Sequence, residues 1–227
     1  MASPFPAGKP TLIYWDLCGR ADPLKCMLYA GKIDFDIDTE TANAWPSSKP
    51  KTPFAQLPVL SIGEGSEELT LSQMGCMTRY AARLGGIYPD DPVKAAKCDM
   101  IIGACDDLFS YLFKPELYKN YAGEKDAKIS KWKEVVEGPA KTQFGYLEAI
   151  LEKWGTPYFS GENPSAADVY FFGVYGVYEE AECGIEDVLS QFPKLKAVKD
   201  GVLELGNLRN YKRSTPYFTA NPDHPSF

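Results

Sequence analysis

Histidine is almost missing from this chain: the only one among 227 residues is His224, near the C-terminal end. Its absence elsewhere removes Ser-His-Asp triads, Cys-His pairs and histidine metal sites from the folded body. The six cysteines, Cys18, Cys26, Cys76, Cys98, Cys105 and Cys183, include no CxxC pair and no zinc-type spacing. Reduced thiols are expected, with no metal required. No apolar run approaches the ~20 residues that span a bilayer, and residues 1–10 lack the apolar core of a signal peptide. These absences predict a cytoplasmic protein with no membrane partner. Basic residues are also in the minority, 24 Lys and Arg against 31 Asp and Glu, for a formal charge of −7. That balance argues against a nucleic-acid partner, which needs clustered cations to neutralise phosphates. Chemistry must then rest on Tyr, Cys, Ser, carboxylates or a bound cofactor.

What is present suits two small domains with ordinary cores: 44% hydrophobic and 13% aromatic residues over a length above the usual single-domain range. Thr11-Leu12-Ile13-Tyr14-Trp15 is β-branched and aromatic and reads as a strand. A Gly turn, an acidic residue and Pro23 then open a helix that runs to Gly31. Ile33-Asp34-Phe35-Asp36-Ile37-Asp38 alternates and predicts a half-buried strand, followed by a polar loop carrying Trp45, Pro46 and Lys49. Strands at 58–62 and 69–71 flank a Gly-rich hairpin connection, and a helix from Ser72 to Leu84 ends at Gly85-Gly86.

The order βαβαββα over residues 1–85 predicts an α/β, thioredoxin-like N-terminal domain. Residues 86–93, rich in Pro and Asp, read as a linker, and residues 94–227 as an all-α C-terminal domain with an extended Pro-rich tail from Thr215. Helical periodicity covers 94–118 and 129–154. Ser165 and Asp168 form a capping-box pattern ahead of an almost wholly apolar helix, 169–181. Within the first domain one stretch stands out, Pro53-Phe54-Ala55-Gln56-Leu57-Pro58-Val59-Leu60, an apolar β-like run with a proline where a strand should begin. A strand-leading proline is an edge residue or a cis bend.

Taken together, these residues resemble the cytosolic glutathione S-transferases, most like the sigma class with mu-like and alpha-like relatives. The resemblance runs from Leu12-Ile13-Tyr14-Trp15-Asp16-Leu17-Cys18-Gly19-Arg20-Ala21-Asp22 through Ala44-Trp45-Pro46, the Phe54–Leu60 stretch, Leu69–Gln73 and Arg79-Tyr80. It continues to Ser165–Asp168 and Phe192–Leu195, covering nearly the whole chain. It implies a glutathione transferase fold and a homodimer. Glutathione would be co-substrate, conjugated to small hydrophobic electrophiles. Catalytic roles fall on Tyr14, whose phenol would donate to the thiolate, and on Arg20, which would brace it. Trp45, Lys49 and Gln56 would hold the glycine end of glutathione, and Leu57, before a cis Pro58, would pair its backbone with the cysteinyl part. Gln73 and Met74 would face the γ-glutamyl group, with Asp107 reaching across the dimer. Trp15, Phe109 and Phe113 would line the electrophile pocket.

Two positions pull elsewhere. The family serine after the glutamine is Met74 here, and a thioether cannot donate to a carboxylate, so weaker glutathione binding is expected unless a backbone N–H or Ser72 compensates. A non-enzymatic ligand-binding or crystallin-like relative is the alternative this favours. Cys18 sits where omega-class and thioredoxin-like relatives carry a nucleophilic thiol at a helix start, so a Cys18-dependent thiol transferase is a second alternative. The other cysteines read as small buried hydrophobes.

Overall fold

Leu12 lies at the centre of a row of apolar residues that crosses a four-stranded sheet. In the computed structural model, which describes residues 8–63, 65, 68–113, 125–181 and 183–214, strand β1 (Thr11–Ile13) pairs in parallel with β2 (Asp36–Asp38) and antiparallel with β3 (Val59–Ile62). Strand β4 (Leu69–Ser72) closes the order β2-β1-β3-β4, antiparallel to β3. The register aligns Ile37, Leu12, Leu60 and Leu71. The parallel β1–β2 pair needs a crossover, supplied by α1 (Asp22–Ala30), which starts on an acidic residue and Pro23, as the sequence predicts.

With α2 (Thr39–Asn43) and α3 (Met74–Leu84) the order is the βαβαββα expected. Three local readings are corrected. Only Asp36–Asp38 of the alternating 33–38 segment is strand, and Ile37 is exposed, because β2 is the sheet edge and its apolar alternation is not matched by a covering layer. The polar loop after it holds α2, capped by the Asp38 side chain, which accepts from the Thr41 N–H at 2.9 Å. Strand β3 begins at Val59, so residues 53–58 are loop and Phe54 is exposed.

Helix α4 (Pro92–Ser110) starts inside the expected linker, where Asp91 accepts from the N–H groups of Val93 and Lys94 and Pro92 occupies the first turn. The periodicity read as one helix over 129–154 is two, α5 (Lys125–Val135) and α6 (Lys141–Trp154). A π-helical turn, Val136–Ala140, separates them, with Pro139 inside it. Helix α7 (Ala166–Glu180) is buried from Ala166 to Tyr178, as its all-round apolar sequence requires. The predicted capping box is present: Asp168 accepts from the Ser165 N–H at 2.8 Å and the Ser165 hydroxyl at 2.9 Å, and also from the Phe159 N–H at 2.9 Å. Two short helices, α8 (Ile185–Leu189) and α9 (Pro193–Gly201), follow. The expected tail from Thr215 lies outside the described residues.

Helix α1 packs against α3 on one side and α7 on the other. Both approaches are backbone-close. A Cβ on Gly173 would lie 2.4 Å from the Pro23 Cα, and one on Gly85 would lie 2.5 Å from the Gly31 Cα, so only glycine allows either approach.

Candidate active site

Strand β1 ends at Ile13, and the next residue, Tyr14, turns its phenol into a cleft of about 720 Å³. The ring is buried, and its oxygen accepts the backbone N–H of Arg20 at 3.0 Å. That bond comes from within one tight loop, residues 14–22. Leu17 N–H donates to Trp15 C=O at 2.8 Å, and Asp22 N–H donates to Gly19 C=O at 2.9 Å. Burial pushes the phenol pKa well up, against the opposing pull of the Arg20 N–H and guanidinium. Tyr14 therefore keeps its proton at neutral pH. With one lone pair engaged by Arg20, its O–H is left as a donor beside the cleft.

The described lining also includes Trp15, Arg20, Trp45, Lys49, Gln56, Leu57, Pro58, Gln73 and Met74. Residues scattered over sixty positions thus meet at one opening. Trp45 is held edge-on by Trp15, ring centroids 6.4 Å apart at 79°, and the Lys49 ammonium lies 5.3 Å from the Trp45 ring. Gln73 Nε2 reaches Gln56 Oε1 at 3.5 Å. Gln73 has φ +72°, a left-handed conformation costly for a residue with a Cβ, and it caps α3. Leu57-Pro58 is cis, as expected from the sequence, and Trp45-Pro46 is cis as well.

Helix α3 opens onto the cleft. The amides of Cys76 and Met77 both donate to Gln73 C=O at 3.0 Å, so the amides ahead of them in the first turn are the ones helix geometry leaves for an anion. Met74 is buried at this point. The Ser72 hydroxyl lines the same cleft, is closed off from solvent and, among the described residues, has no partner.

Several sequence readings fall differently. Phe109 does not line the cleft: it is buried beneath the Arg20 guanidinium, 5.5 Å from ring centroid to Cζ. The Phe113 side chain lies outside the described residues. Asp107, read as serving a partner's cleft and so not expected in this one, is exposed on α4 and outside the lining. Its neighbour Asp106 does line the cleft, accepts from the Tyr170 hydroxyl and has its pKa raised by burial. Cys18 is 1% exposed, and burial, with the Asp22 charge, pushes its thiol far up, so the helix-start argument for a thiolate loses to desolvation. Cys76, expected to be buried, is exposed and lines the cleft. The sequence reading also missed Arg79 as lining, although it lies one turn along α3 from Gly75, another lining residue, on the same face.

Among the described residues no group of His, Cys, Asp and Glu could hold a metal ion, and no helix is long and apolar enough to cross a membrane.

Comparison with known proteins adds a second line. The family model described as Glutathione S-transferase, C-terminal domain, matches residues 110–215. Glutathione S-transferase 1 of Ascaris suum is 29% identical over 211 residues, covering 91% of this chain and 98% of its own length. Over nearly its whole length the chain is similar to glutathione S-transferases. Glutathione S-transferase A3 of Mus musculus is 28% identical over 209 residues, spanning 90% and 89% of the two chains. The solved structure of the Ascaris lumbricoides glutathione S-transferase superposes with a TM-score of 0.71 at 27% identity, covering 92% of this chain and all of that one. The fold described above, a thioredoxin-like half followed by a helical half, is the glutathione transferase fold.

Proposed function

We propose that this chain is a glutathione transferase in which the Tyr14 phenol donates a hydrogen bond to the glutathione sulfur, holding it as the thiolate that attacks small hydrophobic electrophiles. The observation that carries the reading is the state of Tyr14: protonated, anchored by Arg20 N–H and turned into a cleft. Charge agrees with it. The lining holds Arg20, Lys49 and Arg79 against Asp106 alone, in a chain of formal charge −7. A tripeptide with two carboxylates, one ammonium and a thiolate is anionic and fits that local excess of cations.

In this reading Lys49 and the Trp45 indole take the glycine carboxylate, Gln56 and Gln73 the polar flanks, Leu57 the cysteinyl backbone, and the first-turn amides of α3 the γ-glutamyl carboxylate. Trp15 supplies apolar surface for the electrophile, and exposed Asp107 is placed to serve a partner's cleft in a cytoplasmic homodimer of sigma-like class. Full-length protein should bind immobilised glutathione and elute with free glutathione. It should also accelerate conjugation of an activated aryl halide and of an α,β-unsaturated carbonyl; rates equal to the uncatalysed ones for both would sink the proposal.

Met74 favours a second reading, a glutathione-binding relative of low activity. Calorimetry separates the two effects at that position. Met74→Ser should tighten glutathione binding by about tenfold or more, the value of one charge-assisted hydrogen bond of about 1.5–3 kcal/mol. Unchanged affinity would mean that the amides of α3 already satisfy the carboxylate.

A further inference from the structure

The loop that carries the Arg20 N–H is held from behind by the end of the described chain. Asp22, at the start of α1, is fully buried and accepts Arg213 Nε at 3.0 Å on one oxygen and the Tyr211 hydroxyl on the other. The Arg213 side chain is 10% exposed. Its Nη2 donates to Phe172 C=O at 3.3 Å, its Nη1 lies 3.5 Å from Glu179 Oε2, and its guanidinium carbon is 4.8 Å from the Phe172 ring centroid. The seat for it is Gly176: a Cβ there would come within 1.9 Å of Nη2. At the other end of the loop, Ser214 Oγ donates to Asp16 Oδ1 at 2.6 Å. Lys25, itself buried, ties the middle, its Nζ donating to Leu17 C=O at 3.1 Å.

Residues 211–214 thus grip the loop at Asp16 and at Asp22, and Arg20 lies between those two points. We infer that Tyr211–Ser214 form a latch and that Arg213 is a positioning residue, holding the loop so that the Arg20 N–H stays on the Tyr14 oxygen. The inference rests on the reading of Tyr14 as the thiol's hydrogen-bond donor. An N–H on the phenol oxygen polarises its O–H and strengthens the bond the phenol gives onward. When the loop relaxes, that bond weakens and the bound thiol ionises less readily. The charged and titratable groups around Arg213 are Asp22, Cys18 and Cys26 from the loop and α1, Glu179 from α7, and Tyr211. A role confined to stability would lower the melting temperature and leave thiol ionisation alone.

The test uses the full chain and the pH dependence of kcat/KM for glutathione with a saturating aryl halide. Arg213→Met should lose about tenfold in kcat/KM and move the profile up by about one pH unit. Ser214→Ala, which removes only the exposed tie to Asp16, should shift it in the same direction by about a third as much in rate. A profile superposing on that of the unaltered protein in either soluble variant overturns the latch, whatever the melting temperature does. If Arg213→Met does not fold, Ser214→Ala alone decides. Conjugation slowed in both variants relative to the unaltered protein, with the shifted profile, supports it; no conjugation in the unaltered protein overturns the underlying reading of Tyr14 together with the latch.

Discussion

Replacing Tyr14 by phenylalanine is expected to lower kcat/KM for glutathione by about 10²–10³, the usual effect of removing one positioned donor from a site that stabilises developing or resident negative charge. The substitution deletes a single oxygen. What disappears with it is the acceptor for Arg20 N–H and, on the function proposed above, the donor to sulfur. Stability should fall by only about 1–3 kcal/mol, the cost of leaving one backbone N–H unpaired in a buried setting. Two readouts make the prediction specific. The apparent thiol pKa of the enzyme–glutathione complex should rise toward the value of a free thiol, about 8.5. The KM for the electrophile, which does not touch the phenol oxygen in its ground state, should move little. A Tyr14→Phe protein within threefold of the unaltered enzyme would remove Tyr14 from the mechanism. The buried Cys18 thiol does not replace it, since desolvation holds that group protonated.

The largest expected loss of stability falls on Asp168→Ala, about 3–5 kcal/mol by urea unfolding, because the carboxylate accepts from two backbone N–H groups and one hydroxyl at once. Its removal uncaps the most buried helix and frees the Phe159 segment that packs on it. Asp168→Asn keeps the shape and one acceptor oxygen and should cost less than half as much. A pH signature accompanies it. Burial raises the Asp168 carboxyl to about 6 in the folded protein, above its ordinary value. A raised acid binds its proton more tightly when folded, so its contribution to stability is greatest at low pH and declines as pH rises to about 6. Between pH 5 and pH 7 that decline is on the order of 1 kcal/mol. The difference in stability between the unaltered protein and Asp168→Asn should therefore shrink by that amount from pH 5 to pH 7. A pH-independent difference would show that the three donors, not burial, set the carboxyl's ionisation.

Local chemistry made much of this legible. The Ser165–Asp168 box, the Pro23 helix start and the hairpin of β3 and β4 follow from residue types at fixed offsets, and each is where the sequence puts it. The cluster of Tyr14, Trp45, Gln56, Leu57 and Gln73 came from resemblance, because no periodicity brings residues sixty positions apart to one opening. What failed did so for nonlocal reasons. The exposure of Ile37 depends on β2 being an edge, and the inertness of Cys18 depends on what covers it. Phe109 reads as an apolar pocket residue until Arg20 is found lying across it. The Arg213–Asp22 contact joins residues 191 positions apart and leaves no mark in either local sequence.

The contact of Gly173 with Pro23 carries a consequence for motion. Where two helices touch backbone to backbone, there is no side chain whose rotamer could absorb a change of angle, so α1 and α7 turn as one piece. A hinge between sheet and helices would have to tear that seam. Entry and exit at the cleft are then left to its rim, the irregular backbone from Ala44 to Pro58, and turnover limited by product release should respond to changes there and remain insensitive to the joint.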